Sequence, residues 1–258
     1  MDLFYTPSSL VDLENGTAIL KDEEFFHIAR VMRRKAGDSI GLTDGCGLSA
    51  TAVIREVGKD MLIADILHAL HQPPPETQLT VAISLLKSSD RFDFFLEKSV
   101  ELGVSAVVPM VSSRTVSRPQ GKKGQRKVER WRQVMLAALR QSKRCWLPQI
   151  YEPRPFSDIL RLPDFNERLI AYECADGTGE MPSFKGKNIL IAVGGEGGFS
   201  HDEFDRAVQA GFQPLSFGAS ILRAETAGMF AAALVRAQLL ERGGEETMNR
   251  TFNSGEEA

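Results

Sequence analysis

Beyond Pro73-Pro74-Pro75 the chain alternates apolar runs of strand length with longer helical patterns, and few folds accept that alternation. The pattern predicts strands over 79–86, 106–110, 169–172 and 189–193, and helices over 92–102, 127–140, 202–210 and 226–241. A helix between two strands carries the chain back to the sheet's starting side, so successive strands run parallel and the helices cover the sheet. The stretch before the prolines reads differently. Turn signals at Glu14-Asn15-Gly16, Ala36-Gly37-Asp38 and Asp44-Gly45 punctuate short strands, interrupted by a helix over 22–32. The proline run is a stiff break. The expected division is a strand-rich domain over 1–72, an α/β domain over 73–242 and a flexible acidic tail over 243–258. The sequence carries no internal repeat.

The segment 191–227 points to a ligand. An apolar run ends in Gly194-Gly195-Glu196-Gly197-Gly198, and a helical pattern opens at Ser200. About twenty residues on, Phe217-Gly218-Ala219-Ser220-Ile221-Leu222-Arg223 feeds a second helix at Ala224. Paired strand-to-helix loops at the carboxyl end of a parallel sheet are where such sheets bind small molecules. Two phosphate motifs are excluded. A P-loop needs Lys-Ser/Thr after its glycines, and none follows Gly198. A dinucleotide fingerprint counted from Gly195 needs a third glycine at position 200, where Ser200 stands. A glycine-rich turn that only reverses the chain is the simpler alternative. The second loop weighs against it. Arg223, Glu225 and Thr226 stand at a helix mouth beside Ile221 and Leu222, and a pocket needs apolar contact with a few convergent polar groups.

Composition narrows the class. Hydrophobic residues at 43% and charged residues at 25% fit a globular protein, and no apolar run approaches the roughly 20 residues that span a bilayer. Met1-Asp2-Leu3-Phe4 lacks the basic flank of a signal peptide, so a cytoplasmic protein is expected. Cys46, Cys145 and Cys174 are isolated, which argues against a disulfide framework or a zinc knuckle and predicts buried free thiols. His68, His71 and His201 do not cluster with carboxylates, so no metal site is expected, and His27 reads as a structural residue.

The net charge of −3 conceals a polarised chain. Between Val111 and Ile150 stand eleven Lys or Arg against one acid, Glu129, a local net of +10. Acids gather instead near the N-terminus and after Gly243. Basic residues at this density offer a face to nucleic-acid phosphate, and a solvated loop and helix face is the other reading. Gly121-Lys122-Lys123-Gly124 reads as a mobile tip that contacts phosphate without specifying sequence.

In this order and spacing, Gly194-Gly195-Glu196-Gly197-Gly198-Phe199 and Ser220-Ile221-Leu222-Arg223-Ala224-Glu225-Thr226-Ala227 resemble the SPOUT methyltransferases. Within them they resemble the RsmE family, which methylates N3 of a uridine in 16S rRNA. Three further segments extend the resemblance. One is Lys87-Ser88-Ser89-Asp90-Arg91 with Glu97-Lys98 and Glu101-Leu102-Gly103-Val104. Another is Gln141-Ser142-Lys143-Arg144 with Pro148. The third joins His27, Arg30-Val31-Met32-Arg33, Gly37-Asp38 and Asp44-Gly45. The resemblance runs to about Glu241. Three positions depart from it: Gly195 stands at a usual proline, Ser220 at a usual arginine, and Arg140 where an acid often precedes the Gln-Ser pair.

The resemblance implies an α/β fold with a C-terminal SPOUT-type parallel sheet and a deep trefoil knot. It also implies a small N-terminal PUA-like β-barrel that binds RNA, and a homodimer. S-adenosyl-L-methionine is the implied cofactor, and 16S rRNA or the small ribosomal subunit the implied partner. The implied cofactor positions are Gly194, Gly195, Glu196, Gly197, Gly198, Phe217, Gly218, Ser220, Ile221 and Leu222. Arg223 and Glu225 are the catalytic candidates. Arg223 would stabilise charge on a uracil oxygen as N3 loses its proton, and Glu225 would act as base or complement the helix dipole. RNA contact falls to Arg30, Arg33, Lys87, Arg91, Arg114, Lys122, Lys123 and Arg144. Glu196 either faces the sulfonium or ties its loop together, and Arg91 either meets substrate or pairs with Glu101. Ribose methylation by another SPOUT enzyme, or a non-catalytic RNA-binding protein of the same fold, are the competing readings.

Overall fold

The computed structural model describes residues 1–116, 118–119, 121–172 and 183–242. These residues divide into two compact units, Met1–Pro74 with Leu139–Leu147, and Pro75–Ala138 with 148–242.

The first unit contains β1 (Leu3–Tyr5), β2 (Val11–Asp12), β3 (Thr17–Lys21), β4 (Ser39–Thr43), β5 (Leu48–Val57) and β6 (Met61–His71). They form one sheet in the order β1-β4-β5-β6-β3-β2, antiparallel except for the β1–β4 pair. Alternate residues turn inward, Ala18 and Leu20 from β3 and Leu62 and Ala64 from β6, onto a core with Phe4, Ile40 and Ile54. β5 and β6, at 10 and 11 residues, are longer than the short strands expected. Their ladder shifts register between Thr51 and Ala52 and between Ile54 and Glu56. Such bulges bend a long strand pair, which lets it wrap one core. β1 and β2 do not pair. Instead the Thr6 hydroxyl, just past β1, donates to the Ile19 carbonyl of β3 at 2.7 Å, so a side chain bridges the curled sheet.

α1 (Asp22–Phe26) passes into a π-helical turn at His27–Val31, where a single helix was expected. The wide turn buries Ile28 and leaves Arg30 exposed. Leu139–Leu147 belongs to this unit despite its place in the sequence. Arg140 pairs with Glu24, the Cys145 thiol donates to Gln72 Oε1 at 3.0 Å, and the Trp146 indole donates to the Pro73 carbonyl at 3.1 Å. Burial pushes the Glu24 carboxyl above its ordinary range, against the pull of Arg140. A cation at position 140 therefore answers a largely buried acid, which accounts for that departure from the resembled family. The expectation of buried thiols holds for Cys145 and fails for Cys46, which is exposed. Cys46 sits in a turn held by its own backbone N–H on Asp44 Oδ1 at 2.8 Å, and its side chain points out. Cys174 and the tail over 243–258 lie outside the described residues.

The second unit contains β7 (Gln78–Ser84), α2 (Ser89–Glu101), β8 (Ala106–Val111), most of α3 (Lys122–Gln141, through Ala138), β9 (Gln149–Ile150) and β10 (Arg154–Pro155). It continues with α4 (Phe156–Ile159), β11 (Glu167–Ala171), β12 (Asn188–Val193), α5 (His201–Gln209), β13 (Gln213–Leu215) and α6 (Ala224–Glu241). The seven strands pair in parallel, in the order β10-β8-β7-β12-β11-β13, with β9 also on β8. Side chains alternate across β7. Ala82 joins Val108, Ile170, Leu190 and Phe199 on one face, while Ile83 and Phe95 of α2 lie against Gly228 of α6 on the other. α2 and α6 pack together, and α6 also packs on β7 and β12. Gly121 opens α3 rather than a loose tip. Its carbonyl accepts the N–H groups of Gly124 and Gln125 at 2.9 and 3.2 Å, so Lys122 and Lys123 form the first turn of the helix. No helix among the described residues is long and apolar enough to cross a membrane.

Candidate functional site

β12 ends at Val193, and the glycine loop turns the chain into α5. The Gly198 N–H donates to the Gly195 carbonyl at 2.9 Å, closing a four-residue turn in which Gly198 has φ +64°. A side chain resists that backbone conformation. A Cβ on Gly194 would stand 2.9 Å from the Gly198 carbonyl carbon, so the loop can fold back on itself only without one. α5 then opens on a capping box, legible as Ser-x-x-Glu. Ser200 Oγ accepts the Glu203 N–H at 3.2 Å, and Glu203 Oε2 accepts the Ser200 N–H at 2.9 Å. The Lys87 backbone N–H donates to Glu196 Oε1 at 2.9 Å, so Glu196 ties the glycine loop to the loop after β7.

The second loop leaves β13 and enters α6 through Arg223, which holds an extended backbone at the helix N-cap. The Phe217 ring meets Phe230 of α6 edge-on, with centroids 5.3 Å apart, and anchors the loop. Together the loops enclose a cavity of about 300 Å³ at the carboxyl ends of β11, β12 and β13. Gly194, Gly195, Gly198, Phe217, Gly218, Ser220, Ile221 and Leu222 line it, so eight of the ten expected cofactor positions meet there, while Glu196 and Gly197 stand outside. A larger space of about 520 Å³ lies at the amino ends of β11 and β13, around Asn166, Arg168 and Gln213. Parallel sheets bind ligands at their carboxyl ends, so the smaller cavity is the candidate.

Three polar or charged lining side chains were not expected there. Arg114, assigned to RNA from the resemblance, borders the cavity with Tyr172 and His201. The Tyr172 hydroxyl and His201 Nδ1 lie 3.3 Å apart, and the Tyr172 ring stacks on Phe204 at 4.0 Å. Tyr172 follows β11 directly, and its place at the end of a predicted strand is the signal that could have found it.

The two catalytic candidates separate. Arg223 is exposed, between two residues that line the cavity, Leu222 and Ala224. Glu225 is buried and turned toward α2, where Arg91 Nε lies 3.7 Å from its Oε1. Its Oε2 is buried without a partner among the described residues. Arg91 thus pairs with Glu225 and not with Glu101, which takes Lys98 at 2.7 Å. The packing of α2 on α6 brings the first turns of both helices together, a proximity that spacing along one helix does not reveal. Of the other RNA candidates, Lys87, Lys122 and Lys123 are exposed in this unit. In the first unit Arg30 and Arg33 are exposed and Arg144 is half-buried.

A family described as an RNA methyltransferase domain matches residues 73–236, and one described as an RNA methyltransferase PUA domain matches residues 20–67. The chain is 30% identical over 234 residues to the ribosomal RNA small subunit methyltransferase E of Bacillus subtilis, covering 87% of this chain and 91% of that one. The crystal structure of the Neisseria gonorrhoeae ribosomal RNA small subunit methyltransferase E, bound to S-adenosyl methionine, superposes with a TM-score of 0.79. It is 33% identical and covers 92% of this chain and 97% of that one. A probable rRNA-methyltransferase from Porphyromonas gingivalis superposes with a TM-score of 0.80 at 33% identity, covering 94% and 100%. Matched over both of its units, the chain belongs to the RsmE family, the ribosomal RNA small subunit methyltransferases E.

Proposed function

We propose that this protein transfers the methyl group of S-adenosyl-L-methionine to N3 of one uridine in 16S rRNA, within the small ribosomal subunit or its precursor. The observation that carries this reading is the convergence of both predicted loops on one cavity at the carboxyl ends of β11, β12 and β13. The lining fits a nucleoside with a short zwitterionic tail. Phe217, Ile221 and Leu222 offer apolar surface to a base, and the glycine loop offers backbone groups that no side chain obstructs. When bound, the cofactor supplies an electrophilic methyl group carried on a sulfonium.

The chain's own residues must align the uridine and favour loss of its N3 proton. Alignment removes up to about 7–11 kcal/mol of barrier, and a general base contributes about 10²–10⁴-fold. Positioning is the larger effect. Arg223, at the cavity rim, stabilises the negative charge that spreads onto a uracil oxygen as N3 is deprotonated. Glu225 holds Arg91 beside the first turn of α6, placing a second cation near the strand ends. Lys87, Lys122 and Lys123 take RNA phosphate, as do Arg30, Arg33 and Arg144 in the N-terminal unit.

The same reading gives the C-terminal half a trefoil-knotted thread and pairs two copies of the chain in the cytoplasm. Phe94 on α2 and Phe230 and Leu240 on α6 support the pairing, because each is a large apolar side chain exposed in the single chain. Sedimentation equilibrium at twice the chain mass is the expected result.

Labelled S-adenosyl-L-methionine incubated with small subunits lacking the modification, followed by nucleoside analysis, tests the reaction. Label in N3-methyluridine is expected. Label on ribose would leave a SPOUT reaction and overturn the base assignment, and no label at all would favour a non-catalytic RNA-binding role.

A further inference from the structure

We infer that Arg114 is a cofactor-binding residue whose guanidinium takes the carboxylate of the methionine portion of S-adenosyl-L-methionine. The inference rests on the cofactor reading above and deepens it.

Arg114 lies three residues past β8, in a loop whose course is fixed from inside the protein. The Ser112 N–H donates to Thr115 Oγ1 at 2.9 Å, and the Ser112 hydroxyl meets the Ser84 hydroxyl at 3.0 Å. Ser113 gives its backbone N–H to Glu203 Oε1 at 2.7 Å and its hydroxyl to Oε2 at 2.9 Å. Glu203 is buried, and it is the carboxylate that caps α5. One acid therefore fixes both the helix after the glycine loop and the residue before Arg114. From there the Arg114 guanidinium donates to the Gly197 carbonyl. Its stem lies flat on Gly197, where a Cβ would stand 3.1 Å from Arg114 Cδ and 3.2 Å from its Cβ. The side chain so placed forms part of the cavity wall.

Charge decides what such a residue attracts. Among the described residues lining the cavity, Arg114 is the one Lys or Arg, and none is Asp or Glu. A guanidinium presents five N–H donors in a planar fork that matches a carboxylate, and the bond to Gly197 occupies one of them. The cofactor carries a sulfonium, an ammonium and a carboxylate, and only the carboxylate is drawn to a cation. A contact serving RNA phosphate alone would need neither the buried anchor at Glu203 nor a place in the cavity wall.

Calorimetry with two ligands tests the assignment. S-adenosylhomocysteine carries the carboxylate, and 5′-methylthioadenosine has the same nucleoside and sulfur without the amino-acid group. Arg114→Met keeps a stem over Gly197 and removes the charge. It is expected to weaken S-adenosylhomocysteine about 10- to 100-fold, the range of a hydrogen bond to a charged group, and to leave 5′-methylthioadenosine unchanged. Arg114→Lys should fall between Met and wild type. Loss of the ligand's ammonium cannot mimic the pattern, because removing a cation favours ammonium binding. Equal weakening of both ligands would reduce Arg114 to a prop for the glycine loop. Unchanged S-adenosylhomocysteine affinity with weaker rRNA binding would make it an RNA contact. Either result overturns the inference, and binding of 5′-methylthioadenosine shows that the variant's cavity is folded. A wild-type protein that binds neither ligand would instead defeat the cofactor reading itself.

Discussion

Arg223 and Glu225 stand two residues apart, yet one is exposed between two cavity-lining residues and the other is buried against α2. That difference separates what their removal should do. Arg223→Ala is expected to lower the rate of methyl transfer about 10²–10³-fold, as loss of one charge-stabilising donor does, with the Kd for S-adenosylhomocysteine changed less than about threefold. Equal loss of both would make Arg223 a cofactor ligand. The cysteines divide in a similar way. Burial pushes the Cys145 thiol from 9.0 up to about 11, and the thiolate is the reactive species. At pH 8, alkylation followed by peptide mapping should modify Cys46 rapidly and Cys145 only after unfolding. Because the folded value is raised, the stability Cys145 contributes is whole below pH 9.0 and is lost as pH rises through about 11. Rapid modification of Cys145 in the native protein would contradict its placement.

At the scale of elements, the packing of α2 on α6 holds the second loop's exit in place, and Gly228 permits it. A Cβ there would stand 2.6 Å from Phe95 Cε2 and 2.9 Å from its Cδ2. Gly228→Ala gains about 1 kcal/mol of helix propensity but overpacks a closed interface at about 1–3 kcal/mol. A net fall in Tm, with weaker S-adenosylhomocysteine binding as Ala224 and Ala227 shift, is expected, and a raised Tm with intact binding would contradict the close packing. Long elements were legible because several turns or strand residues repeat one period, and the loop glycines and the Ser200–Glu203 cap were legible because their chemistry is local. β9, β10, β13 and α4, of two to four residues, fall below the length at which periodicity registers. The place of Arg114 in the cavity wall was not legible for a different reason. What positions it is Glu203, 90 residues from Ser113 in sequence, and no pattern read along the chain reports that tie. Arg91 likewise found Glu225 across two helices where spacing offered only Glu101.

Over the whole molecule, a net charge of −3 coexists with a segment of local net +10 between Val111 and Ile150. Counterion release then governs RNA binding, and affinity falls steeply with salt. Raising salt from 50 to 200 mM should weaken binding to small-subunit rRNA by about 10³-fold if six or more phosphates are contacted. Binding of S-adenosylhomocysteine, in a cavity with one charged arginine in its wall, should change little over the same range. Salt-insensitive rRNA binding would contradict a basic face as the source of affinity.

In the function proposed, the loops after β12 and β13 together hold the methyl donor. A crystal structure of the protein with S-adenosylhomocysteine tests it most directly. The nucleoside is expected between Gly194–Gly198 and Phe217–Leu222, with its base against Ile221 and Leu222. A ligand seated instead at the amino ends of β11 and β13, beside Asn166 and Arg168, would contradict it.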